Sequence, residues 1–476
     1  MLFKRSKQSG TVRFETTVAF SAVLFAAGLS APASAESLNS FLTKAYVNNP
    51  QLNAQRAGTR ASDENVPLAN SGYLPKVSGT GSVGFTHSDA GVAGLAAGAN
   101  SSLAGVNDTV PRGVGLTVTQ TVFDGFKTPN SIRQAESNVF GSRETLRNTE
   151  QSVLQSAAQS YMDVLRDTAV LDLRSSNIKV LDEQLRQTQD RFKVGEVTRT
   201  DVAQAEAGLA GSRADFYTAQ SNLQNSIASF RQVVGVQPTR LEPARPLERG
   251  LPPTLATAIN ISQVEHPSVQ AALHQVDAAA LQVKIAEGAL FPTVSVQGSL
   301  SQEYDVSNIP GSHAFVGAVV GSVSIPLYEG GADYATIRQA KETLTQSRLL
   351  ADVQRENVRA AVISAWGLLE SSKATVTSDQ ASVNASEIAL NGVREEARVG
   401  QRTTLDVLNA QQTLLNSRVA LVGAQRDRVV ASYAVLATIG RLSTTLLGLN
   451  VKQYNPVVHF EQVKDKWYGM RTPDGK

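Results

Sequence analysis

The chain contains no cysteine. That excludes thiolate metal sites, disulfides, a cysteine nucleophile and a lipid anchor on an N-terminal cysteine. An excess of one charge is missing too: 44 basic residues stand against 42 acidic ones, so there is no basic field of the kind that gathers nucleic acid. The five histidines are scattered, and His266 and His274 have no carboxylate at ligand spacing between them, so no metal site is expected. No serine lies in a nucleophile elbow. The stretch GTGSVG, Gly79 to Gly84, fits G-x-G-x-x-G but lies within an alternating run instead of opening a helix, so no nucleotide cofactor is expected. Beyond the first 35 residues nothing approaches 18 uninterrupted apolar positions. If the mature chain enters a membrane, it must do so as β-structure.

What the N-terminus does contain is an address. Lys4, Arg5, Lys7 and Arg13 precede the apolar run VAFSAVLFAAGL, which is followed by Ala33-Ser34-Ala35. A basic region, a short apolar run and an A-x-A site make up a secretory signal, here spanning 1–35 with cleavage before Glu36.

The rest of the chain says nearly everything twice. VGEVTRTDVAQAEAGLAGSR, from Val194, and VGQRTTLDVLNAQQTLLNSR, from Val399, align without a gap at an offset of 205 residues. Phe123-Asp124-Gly125 likewise answers Tyr328-Glu329-Gly330, Tyr161 answers Trp366, and Gly235 answers Gly440. Nearer the start, Pro50 answers Pro267 and Leu74-Pro75 answers Phe291-Pro292 at an offset of 217. The difference falls in SDAGVAGLAAGANSSLAGVND, which reads as a longer exposed loop in the first copy. The division is a first repeat at 36–254, a second at 255–446 and a C-terminal segment at 447–476.

Each copy has one plan. A helical stretch, about 59–71 or 276–288, leads to the Leu/Phe-Pro stop, with Pro67 kinking the first. Two alternating runs follow, at about 76–123 and 293–327. Val77, Val83, Val114, Leu116, Val118 and Val122 oppose Ser78, Thr80, Ser82, Thr117, Thr119 and Thr121. In the second copy Val294, Val296, Leu300, Phe315, Val319 and Val323 oppose Ser295, Gln297, Ser299, Ser301 and Ser322. Apolar on one side and small hydroxyl residues on the other suits a lipid-spanning barrel strand with a wet lumen, and equally a half-buried strand of a soluble sandwich.

Long helices come next, at about 129–193 and 333–398. Ile132, Val139, Leu146 and Val153, then Ala157, Val164, Leu171, Ile178, Leu185 and Phe192, form heptads separated by a four-residue stutter. Ile337, Leu344, Ala351 and Val358, then Val362, Leu369, Val376, Val383, Leu390 and Ala397, repeat both series. Such a helix is roughly 100 Å long at about 1.5 Å per residue, too long for a globule. Val194-Gly195 and Val399-Gly400 turn the chain into shorter return helices at about 200–234 and 404–439. Four strands cannot close a transmembrane barrel, which needs at least about eight, so several chains must pool them.

The duplicated strand-strand-helix-helix plan, the Leu/Phe-Pro before the strands and the VG-x-x-T-x-x-DV turn resemble the TolC family of outer-membrane efflux and secretion proteins, over roughly 36–446. The resemblance implies an α+β membrane protein: a homotrimer with a long coiled-coil α-helical barrel continuous with a transmembrane β-barrel, four strands per protomer and twelve in all. It implies equatorial segments around 240–255 and 446–476, and no enzymatic activity. It also implies outer-membrane lipid around the barrel and partners in a periplasmic adaptor and an inner-membrane ABC or RND pump, with drugs or proteins as cargo.

Within that resemblance the turn is the periplasmic mouth. Asp201, Asp406 and Arg402 match the family's gate and selectivity positions. Asn409 stands where a second aspartate is usual, with Gln204 in copy one, and Ala397 where a tyrosine is usual. Arg402 is expected to tie its hairpin to a carboxylate, such as Asp201, on the adjoining one. Val194, Gly195, Thr198, Val399, Gly400 and Thr403 make the turns and the expected adaptor-docking region. The residues themselves leave another role open: Thr198 or Thr200 is a natural N-cap, and an aspartate in the first helical turn is favoured by the helix dipole. Two other classes of function compete, a periplasmic coiled-coil adaptor outside the membrane and a secreted structural rod. The adaptor reading leaves the duplicated amphipathic hairpins unexplained, and nothing in the chain resembles a lipoyl-type module. The C-terminal VKDKWYGMRTPDGK is expected to be loosely ordered, with Trp467 and Tyr468 pinning it to the helical wall.

Overall fold

The computed structural model describes residues 36–90, 105–306, 310–473 and 475. Residues 1–35, expected to be a secretory signal, and the tip of the glycine-rich insertion, 91–104, lie outside the described residues.

Two helices of 67 residues set the dimensions, α4 (Lys127–Lys193) and α8 (Ala332–Arg398). Each is roughly 100 Å long at about 1.5 Å per residue. Their C-terminal halves pair with the return helices α5 (Arg199–Val234) and α9 (Thr404–Thr438). Their N-terminal halves pair with shorter helices: α1 (Leu38–Asn48), α2 (Pro50–Asp63) and α3 (Asn65–Asn70) on α4, and α6 (Leu255–Glu265) on α8. Helix α7 (Pro267–Glu287) lies against both long helices. Pro67 does interrupt its helix, because the chain breaks at Glu64 between α2 and α3.

Burial follows the predicted heptads closely in the second copy, where Ile337, Ala351, Val358, Val362, Leu369, Val383 and Leu390 are buried. In the first copy Val139, Leu146, Val153, Ala157 and Val164 agree, and then the pattern departs. Below the waist Asn177, Leu181 and Thr188 are buried, while Leu171, Ile178 and Leu185 are half-buried and Phe192 is exposed. The lower part of α4 is packed by α5 and α9 on other faces, which leaves the apolar stripe only partly covered within one chain.

The main core lies at the waist, where α1 crosses α4. Phe41 packs on Phe230 and Tyr161 with ring centroids 5.1 and 5.6 Å apart. Tyr161 is fully buried, and its hydroxyl donates to the carbonyls of Glu242 at 2.7 Å and Glu36 at 3.1 Å. Those bonds hold down an irregular belt, 236–254, which also meets the N-terminal segment through the Glu36–Leu241 bridge. The two copies repeat one corner here. Asn49 caps α2 ahead of Pro50 and donates to Val233 beside Gly235, and His266 caps α7 ahead of Pro267 beside Gly440.

At the far end the two predicted hairpins merge into one antiparallel sheet. Strands β1 (Lys76–Val83), β4 (Arg112–Phe123), β5 (Thr293–Tyr304) and β6 (His313–Ser324) are paired in that order. The flanks of the insertion are not loop: β2 (Thr86–Ala90) and β3 (Gly105–Thr109) pair and extend the hairpin, since antiparallel neighbours continue their hydrogen bonds until a turn stops them. Register places Val77, Val118, Gly298 and Val319 in one row on one face, with Ser78, Thr117, Ser299 and Ala318 behind them on the other. A bulge at Thr121–Phe123 leaves Val122 unpaired and brings Phe123 opposite Val294. Phe123 then joins Phe126 and Phe291 in edge-to-face contacts of 5.2 and 6.3 Å where strands become helices. Phe126, with φ +64°, is left-handed there, and the second copy puts Gly331 at the same place.

A short helix precedes the C-terminal polar stretch. Helix α10 (Pro456–Val463) lies on α2, with His459 Nδ1 2.9 Å from the buried Asp63 carboxylate and Phe460 against Val66 and Val139. Trp467 and Tyr468 do not pin it. Each is 74% exposed, and they stack on each other instead.

Candidate functional site

The two tips of the rod are built alike. Gly195 and Gly400 take φ of +80° and +79°, and a Cβ on either would meet nothing within 4 Å, so glycine is needed there for the backbone conformation alone. The next helices start on Thr198 and Thr403, which settles the choice between Thr198 and Thr200. Asp201 Oδ2 accepts from the Thr198 backbone N–H at 2.8 Å and its hydroxyl at 2.7 Å, and Asp406 does the same for Thr403 at 3.0 and 2.9 Å. Threonine and aspartate thereby form a capping box in both copies. Hydrogen bonds from Thr198, side chain before backbone, lower the pKa of Asp201, and those from Thr403, backbone first, lower that of Asp406. Both carboxylates are ionised near neutrality and half-exposed, so capping does not withdraw their charge from the tip.

Arg402 is not joined to Asp201 within the chain. Its Nε donates to Glu396 at 2.8 Å, a residue in the last turn of α8 on its own hairpin, and that bond raises the arginine's pKa further. The first copy has a different pair across its turn: Arg191, the repeat equivalent of Glu396, donates to Glu196 at 3.0 Å, and Val197 stands at the equivalent of Arg402. The sequence already held the signal, since Arg191 and Glu396 are repeat equivalents of opposite sign. Asn409 and Gln204 line one cleft of about 220 Å³ between α5 and α9. Ala397 lies on the other side, in a wider opening between α4 and α8. Val194 and Val399 are each 71% exposed at the outermost point of the rod. The Asp63–His459 pair with nearby Arg143 was not visible in advance, because its members lie on three segments far apart in sequence.

The charges at the tips are fixed by caps and ion pairs, 100 Å of helix away from a sheet whose outer face is apolar and unpartnered. Fixed charge at one mouth and a lipid-compatible sheet at the other suit the passage of solute through an envelope rather than its chemical conversion, and this defines the class as a membrane-channel subunit. Comparison with known proteins narrows it. The chain belongs to the outer membrane efflux protein family, whose profile matches residues 41–236 and 258–441. It is 42% identical over 442 residues to the outer membrane efflux protein BepC of Brucella suis, covering 93% of both chains. It is 24% identical to TolC of Escherichia coli over 90% of this chain and 87% of that one. Among solved structures, the CmeC outer membrane channel of Campylobacter jejuni superposes with a TM-score of 0.74 at 17% identity, over 91% of this chain and 90% of that one. The protein is therefore an outer-membrane efflux duct of a Gram-negative envelope that reaches into the periplasm, and it is not an enzyme. The adaptor reading is not favoured.

Proposed function

We propose that three copies of this chain close into one conduit, passing cargo across the periplasm and outer membrane for an inner-membrane pump. The observation that carries this is the four-stranded sheet, whose edges β1 and β6 are both free within the chain. Open edges are not tolerated in lipid, and a barrel closed by joining β6 of one copy to β1 of the next satisfies every strand. Three copies give twelve strands, and their helices continue as a hollow cylinder. Val77, Val83, Val114, Leu116, Val319 and Val323 then face lipid, and the serine and threonine rows face the lumen together with Val316 and Val320. Phe123, Phe126 and Phe291 fall where an aromatic girdle belongs. The secretory segment 1–35 is removed on export.

In this reading the tips are the gate, and Asp201 and Asp406 form a threefold acidic ring that favours cations. Arg402 reaches from Glu396 to a carboxylate of the adjoining hairpin in the closed assembly, and Asn409 gives a weaker constriction than an aspartate would. The turns at Val194, Gly195, Thr198, Val399, Gly400 and Thr403 receive a periplasmic adaptor that connects to an ABC or RND pump. The relatives' names span both cargo classes, from the efflux protein BepC to the proteases secretion protein PrtF of Dickeya chrysanthemi. The test is conductance of the purified protein in planar bilayers with its mass measured in detergent. Small, cation-selective steps from a trimer are expected, and a monomer that leaves the bilayer silent would refute the reading.

A further inference from the structure

The lipid side of the sheet changes character at one end. Side chains alternate along each strand, so the face that carries Val77, Val118, Gly298 and Val319 also carries a row made of Val83, Arg112, Tyr304 and His313. Of the positions on this face of the four strands, Arg112 alone holds a permanent charge, since Lys76 and Glu303 fall on the lumen side. The long helix α4 leaves the sheet just after Phe123, so the Arg112 end of β4 is the one farther from the periplasm. β4 runs 12 residues from Arg112 to Phe123. At about 3.4 Å per step and a tilt of about 40° this is roughly 28 Å along the barrel axis, against an apolar band about 25 Å tall. With Phe123 at the inner boundary of the lipid, Arg112 therefore stands at the outer one. The next row out, Phe85 and Val110, is exposed on the same face, because the Gly84 N–H donates to the Pro111 carbonyl at 2.8 Å and carries the register into β2 and β3.

Arg112 is positioned there without being neutralised. Its guanidinium carbon lies 5.2 Å from the centroid of the Tyr304 ring, which steadies it against the sheet. Among the described residues the one carboxylate within 4 Å is that of Asp305, whose Oδ2 is 3.9 Å from Nη1, too far for a hydrogen bond. Asp305 serves the turn after β5 instead: its Oδ1 accepts the Gly311 N–H at 2.7 Å. The arginine side chain is 58% exposed, and His313, opposite Tyr304, is exposed too. Around them Val83, Val114 and Phe315 are exposed apolar neighbours on the same face. Joining β1 to β6 edge to edge leaves this face uncovered by protein, so what surrounds the cation is lipid. A cation set among acyl chains is costly unless an anion comes to it, and an arginine fork fits the oxygens of a phosphate.

Resting on the duct reading above, we infer that Arg112, Tyr304 and His313 seat the phosphate of an anionic lipid in the outer leaflet, one site on each protomer. The guanidinium takes the phosphate oxygens, the Tyr304 hydroxyl and the His313 ring donate from the neighbouring strands, and the acyl chains run down over Val114, Leu300 and Phe315. A free phosphate ion has no use for those apolar neighbours, which is why the occupant is a lipid. The site fixes the height of the barrel in the membrane at its outer rim, as Phe123, Phe126 and Phe291 do at the inner one.

The probes are phosphatidic acid and phosphatidylcholine carrying the same photoreactive diazirine high on one acyl chain. Each is mixed at low fraction into phosphatidylcholine vesicles holding the full-length protein, and cross-linked peptides are measured by mass spectrometry after irradiation. Labelling at 110–116, 300–304 and 313–317 should be about fivefold or more stronger with phosphatidic acid, as expected for one partly exposed charge pair. Labelling at 294–298 and 319–323, nearer the inner boundary, should be equal for the two probes and serves as the reference. Arg112→Gln should abolish the excess while conducting normally in planar bilayers, and Arg112→Lys should keep part of it. Inorganic phosphate at millimolar concentration should leave the labelling unchanged. Equal labelling by the two probes, an excess that survives Arg112→Gln, or displacement by inorganic phosphate would overturn the inference and leave the duct standing. Absence of conductance from the native protein would instead remove the duct reading on which it rests.

Discussion

Acid should loosen the corner between α6 and α7, and the structure sets the size of the effect. His266 caps α7 by accepting the Ser268 backbone N–H on Nδ1 at 3.2 Å, which requires the unprotonated nitrogen. The residue is 9% exposed. Burial, and secondarily the charge of Arg147, lower its pKa from 6.5 to about 4. The folded state therefore declines a proton that the unfolded chain accepts. Stability from the neutral ring is complete above pH 6.5 and is lost as pH falls through about 4. At about 1.4 kcal/mol per unit the limit is on the order of 3 kcal/mol, or about a hundredfold in the opening equilibrium. The control is His266→Asn, because Asn49 already caps the equivalent corner, accepting from Leu52 at 3.0 Å, and does not titrate. Amide exchange at residues 268–271 of the purified protein, corrected for intrinsic rates, reports that opening from neutral pH downward. Native protection should fall away from that of the asparagine variant by up to about a hundredfold as pH approaches about 4. Parallel curves for the two proteins would refute the reasoning.

Gly440→Ala combines a φ of +83° with a Cβ 2.8 Å from the His266 Cα, whereas Gly400→Ala meets only a φ of +79° in open space. The latter should cost about 1–2 kcal/mol and the former clearly more, a difference read as the gap between their unfolding midpoints. Tyr161→Phe removes the hydroxyl bonds to the carbonyls of Glu36 and Glu242, although the Glu36 carbonyl still accepts from the Glu242 backbone N–H. It should cost about 0.5–1.5 kcal/mol and hasten limited proteolysis at the belt, 236–254. At the tip, Arg402→Ser breaks the Glu396 bond and any latch together and should raise single-channel conductance. The exchange Glu396→Arg/Arg402→Glu keeps the local pair but reverses the charge offered to the neighbouring hairpin, so conductance should rise there too if the latch spans hairpins. Native conductance in both variants would remove Arg402 from the gate.

Long-range periodicity was legible in the sequence because repetition makes it redundant. The step from Val153 to Ala157 is repeated from Val358 to Val362, and burial keeps it in both copies. The strands were legible by their alternation, but their extent was not. Glycine and serine around Ser88 and Asn107 look like loop in composition, yet the chain there continues a ladder that only pairing can reveal. The lower half of α4 misled for a related reason. A heptad shows that an apolar stripe exists without showing which neighbour covers it, and one chain covers Ile178 and Leu185 only in part. The buried contact of His459 with Asp63 lies beyond any local pattern, since 396 residues separate the two.

The departures from repetition carry as much information as the repetition itself. Twofold-duplicated subunits arranged three to a ring would have six equivalent positions if the copies were identical, and a partner could then dock at any of them. Two of the departures fall at the tips. Arg191–Glu196 and Glu396–Arg402 each tie the last turn of a long helix to the turn after it, but Arg191 and Glu396 are repeat equivalents of opposite sign while Glu196 and Arg402 stand at non-equivalent positions. Glu183 and Ala397 stand where Ile388 and Phe192, exposed by 75% and 45%, stand in the other copy. By contrast, the features that serve shape alone stay matched, including the turn glycines, both capping boxes and the equal helix lengths. The two copies thus share one framework of turn glycines, capping boxes and long helices while the ion pairs set on it differ.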